Sequence, residues 1–175
     1  MKWRLSTGWT LLIILAVSTV GSFFIGPTRD LLPALSSLKP ESVLAISLVL
    51  SQWILPAAGA YHYSDSKSRA RYIGSVMGAC LVSTLALTAV VGYWAFSQDP
   101  VPRTHKTASI FLNLSGQLIA AGVSSLFHSG IAASLSSSAR SAGDRAQIAF
   151  LSCVALDLVL VLGIVVLAKF VIHAV

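Results

Sequence analysis

The sequence predicts an all-α, polytopic transmembrane bundle of about five spans with a cytoplasmic N-terminus. Three observations carry that expectation. Apolar residues make up 55% of the 175-residue chain and charged residues only 10%, with a mean hydropathy of +0.82, far from the composition of a water-soluble domain. The apolar residues gather into five runs, each long enough to cross a hydrocarbon core of about 30 Å, which takes roughly 20 helical residues. The connections between runs are short, and the longest, residues 26–41, cannot hold a folded domain. Lipid offers no partner to a free N–H or C=O, so such spans satisfy their backbone internally, as helices.

The runs are residues 7–25, 42–63, 72–96, 107–135 and 146–172, together a single integral membrane domain. The first resembles a signal segment, with Lys2 and Arg4 ahead of it and Ser18, Gly21 and Ser22 near its end; we expect it to be retained as a signal anchor. The second contains Pro56 followed by Gly59, a pair expected to kink or partly unwind a helix. The third carries Gly74 and Gly78 in a GxxxG pattern. In lipid, helices associate through close approach of small residues rather than by escaping water. The fourth run is the strongest case, because Ala121, Ser125, Ser129 and Ala133 form one stripe with Gly116, Ala120 and Ser124 beside it. Gly74, Gly78, Ala121, Ser125 and Ser129 are therefore the expected helix-packing interface. The fifth run is Leu-, Val- and Ile-rich around a single acid, Asp157.

Two segments share a pattern: LVLSQWILPAAGAYH (residues 48–62) and LNLSGQLIAAGVSSLFH (residues 112–128) each begin L-x-L-S, contain Ala-Ala-Gly and end on an aromatic residue and His. If duplicated, they make two hairpins in parallel with the first span peripheral.

Basic residues near span ends set orientation. Lys2, Arg4, Lys67, Arg69, Arg71, Arg140 and Arg145 fall on one side, and Arg29, Lys39, Arg103, Lys106 and Lys169 on the other. The richer side, with its compact basic turn at residues 64–71, is taken as cytoplasmic. The net charge of +6 thus belongs to helix ends facing anionic headgroups and not to a nucleic-acid surface. Tyr61, Tyr63 and Tyr72 on one side and Tyr93 and Trp94 on the other fit interfacial aromatic belts.

An ionisable group deep in a bilayer costs a few kcal/mol on insertion scales and is normally kept inside the protein. Asp157 lies about 18 Å beyond Arg145 at 1.5 Å per residue. The same depth on the other runs reaches Gln52, Ser83, Thr84 and Ser124, with Ser18 and Thr19 in the first. Asp157, Gln52, Ser124 and Thr84 form the expected polar midplane layer. It has two readings: a hydrogen-bonding group that fixes helix register, or a proton- or cation-binding carboxylate on a translocation route. The depth count puts no basic residue level with Asp157, so the expectation is that it lacks an internal ion pair.

Two cysteines, Cys80 and Cys153, are too few and too deep for a disulfide framework or a zinc site, although equal depth lets them meet. His62 and His128 on separate spans raise haem b ligation, but a height difference of about 7 Å is awkward for one haem. The sequon at Asn113 lies within a span and is out of reach of glycosylation. No G-x-S-x-G, H-E-x-x-H, P-loop or CxxC pattern occurs, and adjacent His128 and Ser129 point to different faces, so no enzyme is expected.

The leading expectation is a non-catalytic membrane subunit, an assembly, anchoring or sensing component that meets other membrane proteins or copies of itself through helix faces. The alternative is a small proton- or cation-linked transporter or channel using Asp157, Gln52 and the break at Pro56. A haem b electron-transfer subunit is third. No resident cofactor is expected otherwise. The expected location is a bacterial inner membrane.

Overall fold

The structure, a computed structural model, describes residues 39–98 and 102–173. Among them the ordered elements are helices with no strand: α1 (Pro40–His62), α2 (Arg69–Ser97), α3 (Arg103–Ser136) and α4 (Ala142–His173). All four are long and apolar enough to span a membrane. They cover the four apolar runs from residue 42 onward; the run at residues 7–25 lies outside the described residues, as do Ser18 and Thr19 of the expected polar layer.

Local chemistry accounts for the helix boundaries. Pro40 opens α1, where its missing N–H costs nothing and its φ suits the first turn, and Glu41 complements the positive end of the dipole. The Ser68 hydroxyl caps α2 by accepting from the Arg71 N–H at 3.3 Å, and Ser141 caps α4 by accepting from the Asp144 N–H at 3.0 Å. The expected break at Pro56 leaves α1 a single helix from Pro40 to His62. Pro56 cannot donate to the Gln52 carbonyl, so that oxygen loses its usual helical partner while the helix continues.

The distribution of side-chain size is that of a protein surrounded by lipid. Large apolar side chains face outward, including Val82, Val90, Phe111, Leu112, Ile119, Val159 and Leu162, while the buried set is rich in Ala, Ser, Thr and Cys. A soluble bundle buries its Leu and Val; here small residues let backbones approach and the large ones contact the solvent of the helices.

Contacts divide the described chain into two compact units. The first takes residues 39–51, 82–98 and 102–123, from α1, α2 and α3. Its apolar centre is Leu44, Ala95 and Phe96, with Leu48, Val91, Ile110 and Leu114 against them. Gly92 lies under Leu114, whose methyl would stand 2.8 Å from an added Cβ. The second unit takes residues 52–81 and 124–173, from all four helices. Its centre is Ala60, Tyr72, Val76, Cys80, Ala132, Ala133, Ala149 and Cys153. Gly59 is a close-approach point there, with Val76 Cγ1 at 3.3 Å and Cys80 Sγ at 3.8 Å from an added Cβ.

The expected packing interface splits into two groups. Ala121, Ser125, Ser129 and Ala133 are buried, Ser129 and Ala133 completely. Gly74 and Gly78 are instead exposed, and a Cβ at either would meet nothing within 4 Å. The reason lies in the periodicity of α2: Tyr72, Val76 and Cys80 take the inward stripe, which turns the glycines two residues away outward. Ser125, being buried within the chain, offers no surface to a partner.

Candidate functional site

The second unit joins three helices around Asp157. Trp53 of α1 donates its indole N–H to Asp157 Oδ2 at 2.6 Å. His128 Nε2 lies 2.8 Å from Asp157 Oδ1. The other imidazole nitrogen, Nδ1, lies 2.9 Å from the Ser124 carbonyl oxygen and 3.3 Å from the Ser124 hydroxyl. The Cys153 thiol reaches the His128 carbonyl at 3.9 Å, and Trp53 packs edge-on against Phe150 with ring centroids 6.3 Å apart. The His128 side chain is 6% exposed and that of Asp157 28%, so the carboxylate is the accessible end of a largely buried pair.

These side chains meet because each helix repeats with the right period. On α4, Ala146, Ala149, Phe150, Cys153 and Asp157 follow helical spacing and form one face, of which Ala146, Ala149 and Cys153 are buried. On α3, Ser125, His128, Ser129, Ala132 and Ser136 make the facing stripe, each buried. Hydroxyls along it are turned back onto their own helix, Ser129 to the Ser125 carbonyl at 2.5 Å and Ser136 to the Ala133 carbonyl at 3.3 Å. This internal bonding hides the polarity of a serine-rich helix from an apolar surrounding.

The expectation that Asp157 lacks an ionisable partner is corrected. Counting from the loop between α3 and α4, Asp157 is deeper than His128 by about 10 Å of helical rise, and the depth count rejected the pair for that reason. Side chains, however, tilt toward the N-terminus of their own helix. On two consecutive helices joined by a short loop, that tilt carries His128 away from the loop and Asp157 toward it, and the imidazole covers the remainder. Trp53 is a second residue the depth count missed: it is Gln52's neighbour, and the apolar ring disguised an indole donor.

The remaining members of the expected layer have separate fates. Ser124 belongs to the cluster through its carbonyl and hydroxyl. Gln52 is buried, with 6% of its surface exposed, in the residue before Trp53. Thr84 belongs to the first unit, where it is buried and its carbonyl accepts the Thr88 hydroxyl at 2.7 Å. His62 and His128, which end the two similar segments, differ in surroundings. His62 is exposed and edges against Tyr63, centroids 4.9 Å apart, whereas both nitrogens of His128 are engaged, leaving no free lone pair for a haem iron in this arrangement. Among the described residues no group of three His, Cys, Asp or Glu side chains converges as a metal site.

The chemistry of the cluster follows from its acceptors. A carbonyl oxygen only accepts, so His128 Nδ1 carries a proton and donates it to Ser124. One further proton then lies between Nε2 and Oδ1, and the pair is neutral overall whether that proton rests on the imidazole or on the carboxyl. The cluster is a set of hydrogen bonds that ties α1, α3 and α4 together around one carboxylate.

No protein-family model matches the chain, and no curated protein and no solved structure matches it. The coarse assignment thus rests on the molecule itself: an all-helical bundle with four membrane-spanning-length apolar helices.

Proposed function

We propose that the chain is a small proton- or cation-linked membrane transport protein whose working group is the Asp157 carboxylate, held by His128 and Trp53. The contact between His128 Nε2 and Asp157 Oδ1 at 2.8 Å carries this reading, since the two groups share one proton and the carboxylate is the part-exposed partner. Proton and cation loading are alternatives at one site: loss of the shared proton leaves a net negative charge that a cation would balance. The buried Gln52 amide and the Gln52 carbonyl freed by Pro56 supply further polar atoms on α1. The finer topology belongs to the same proposal: a fifth span at residues 7–25, a cytoplasmic N-terminus, a bacterial inner membrane and assembly as an oligomer, because so few helices enclose little volume.

The test is flux into proteoliposomes loaded with a pH-sensitive dye, driven by a potassium diffusion potential. Wild-type protein should acidify the lumen and Asp157→Asn should reduce the rate at least about tenfold. Wild-type flux from Asp157→Asn, or no flux above empty liposomes from the wild type with protons or with sodium and potassium ions, overturns the reading.

A second reading, a non-catalytic subunit that joins other membrane proteins or its own copies, is favoured by the outward-facing Gly74 and Gly78 on α2. Small residues on a lipid-facing surface permit close approach of another helix.

A further inference from the structure

The geometry points to a phosphate-binding site at the basic end of the second unit, separate from the Asp157 cluster. A cavity of about 100 Å³ opens there between the turn that precedes α2 and the start of α4. Three cations line it: Lys67, Arg69 and Arg145. Ser66, Ser68, Tyr72 and Ser137 complete the wall, the Ser137 hydroxyl donating to the Ser134 carbonyl at 2.7 Å. The carboxylates closest in sequence, Asp65 and Asp144, are exposed and are not part of the lining. Among the described residues none of the three cations makes a salt bridge, the ion pair present being His128 with Asp157.

Arg145 shows how the cavity is held open. Its Nη1 donates to the Ser64 carbonyl at 2.7 Å and its Nε to the Ala139 carbonyl at 2.8 Å, while the guanidinium lies 4.9 Å from the centroid of the Tyr72 ring. Two of five N–H groups are thereby committed, and the remaining three are donors of the geometry that matches a phosphate oxygen pair. The Tyr72 ring is itself fixed, its hydroxyl 2.7 Å from Ser136 Oγ.

Size and charge select the ligand. A cavity of about 100 Å³ is well below the roughly 300–1,000 Å³ that holds drug-sized organic molecules, yet it admits a tetrahedral oxyanion. Three unneutralised cations favour a phosphate over a neutral or singly charged small group. At a bundle end, that phosphate comes either from an anionic phospholipid, whose acyl chains would follow the apolar outer surface, or from free phosphate in solution.

The experiment has two arms on the purified full-length protein. Native mass spectrometry from mixed micelles of phosphatidylglycerol and phosphatidylcholine reads lipid retention, and equilibrium dialysis with labelled inorganic phosphate reads the free anion. Lys67→Gln/Arg69→Gln changes exposed side chains and leaves the Arg145 contacts in place. Lys39→Gln/Lys106→Gln makes the same charge change away from the cavity. The expected result is saturable binding in at least one arm, weakened at least about tenfold by the cavity pair and unchanged by the distant pair. Binding in the lipid arm alone assigns the headgroup, and binding in the phosphate arm assigns the free anion. No binding in either arm, or equal loss with both variants, overturns the site.

Discussion

At the scale of single residues, the His128–Asp157–Trp53 cluster separates hydrogen bonding from proton exchange. Asparagine at 157 can accept from the Trp53 indole and donate its amide to His128 Nε2, so the cluster stays satisfied. Asp157→Asn should therefore change detergent thermal stability by less than about 1 kcal/mol while removing flux, a combination that a purely structural carboxylate does not produce. His128→Ala does the opposite to packing. It leaves one carboxylate oxygen without its partner and opens a gap on α3, and should cost about 2 kcal/mol, the discount from a fully buried pair reflecting the 28% exposure of Asp157. Trp53→Phe deletes the N–H together with part of the ring that packs edge-on against Phe150, for a loss of about 1–2 kcal/mol. Thermal unfolding in one detergent, followed by circular dichroism, ranks the three variants; Asp157→Asn as the most destabilising would reverse the assignment.

At the scale of elements, helix contacts in the second unit depend on how closely backbones approach. Gly59 of α1 faces Val76 and Cys80 of α2 at ordinary to tight contact distance. Gly59→Ala asks the Val76 methyl to give by a few tenths of an ångström, and Gly59→Leu has nowhere to go. The leucine variant should lose about 2 kcal/mol or more through overpacking, read as a lower melting temperature and greater exposure of Cys80 and Cys153 to a thiol reagent. Arg145 is the corresponding tie at the loops, where it joins the carbonyls of Ser64 and Ala139 to the Tyr72 ring. The stripe of Ala121, Ser125, Ser129 and Ala133 stands out in the sequence because small residues at four-residue spacing permit close approach of helices in lipid, and all four are buried. Gly74 and Gly78 show the limit of that rule. Their spacing says that a close approach is possible but not from which side, and the inward stripe on α2 went to Tyr72, Val76 and Cys80.

For the whole molecule, the outward glycines make a prediction about association that is independent of transport. Gly74→Leu/Gly78→Leu places side chains where nothing in the chain meets them, so monomer stability and the Asp157 cluster should be unaffected. If copies or other membrane proteins dock on this face, the particle mass in mild detergent should fall; an unchanged mass removes the face from any assembly. Flux measured on the same variant tells whether transport requires the assembly.

The amino-acid sequence by itself determined the apolar surroundings of this protein and the helical character of its spans, because hydropathy acts along a single helix. It also singled out Asp157, since one acid in an apolar run is conspicuous. Only the tertiary structure decided what Asp157 touches. Depth along a helix places a backbone to within a turn, whereas a hydrogen bond depends on helix rotation, side-chain tilt and the length of an imidazole, all of which are set by the packing of several helices at once.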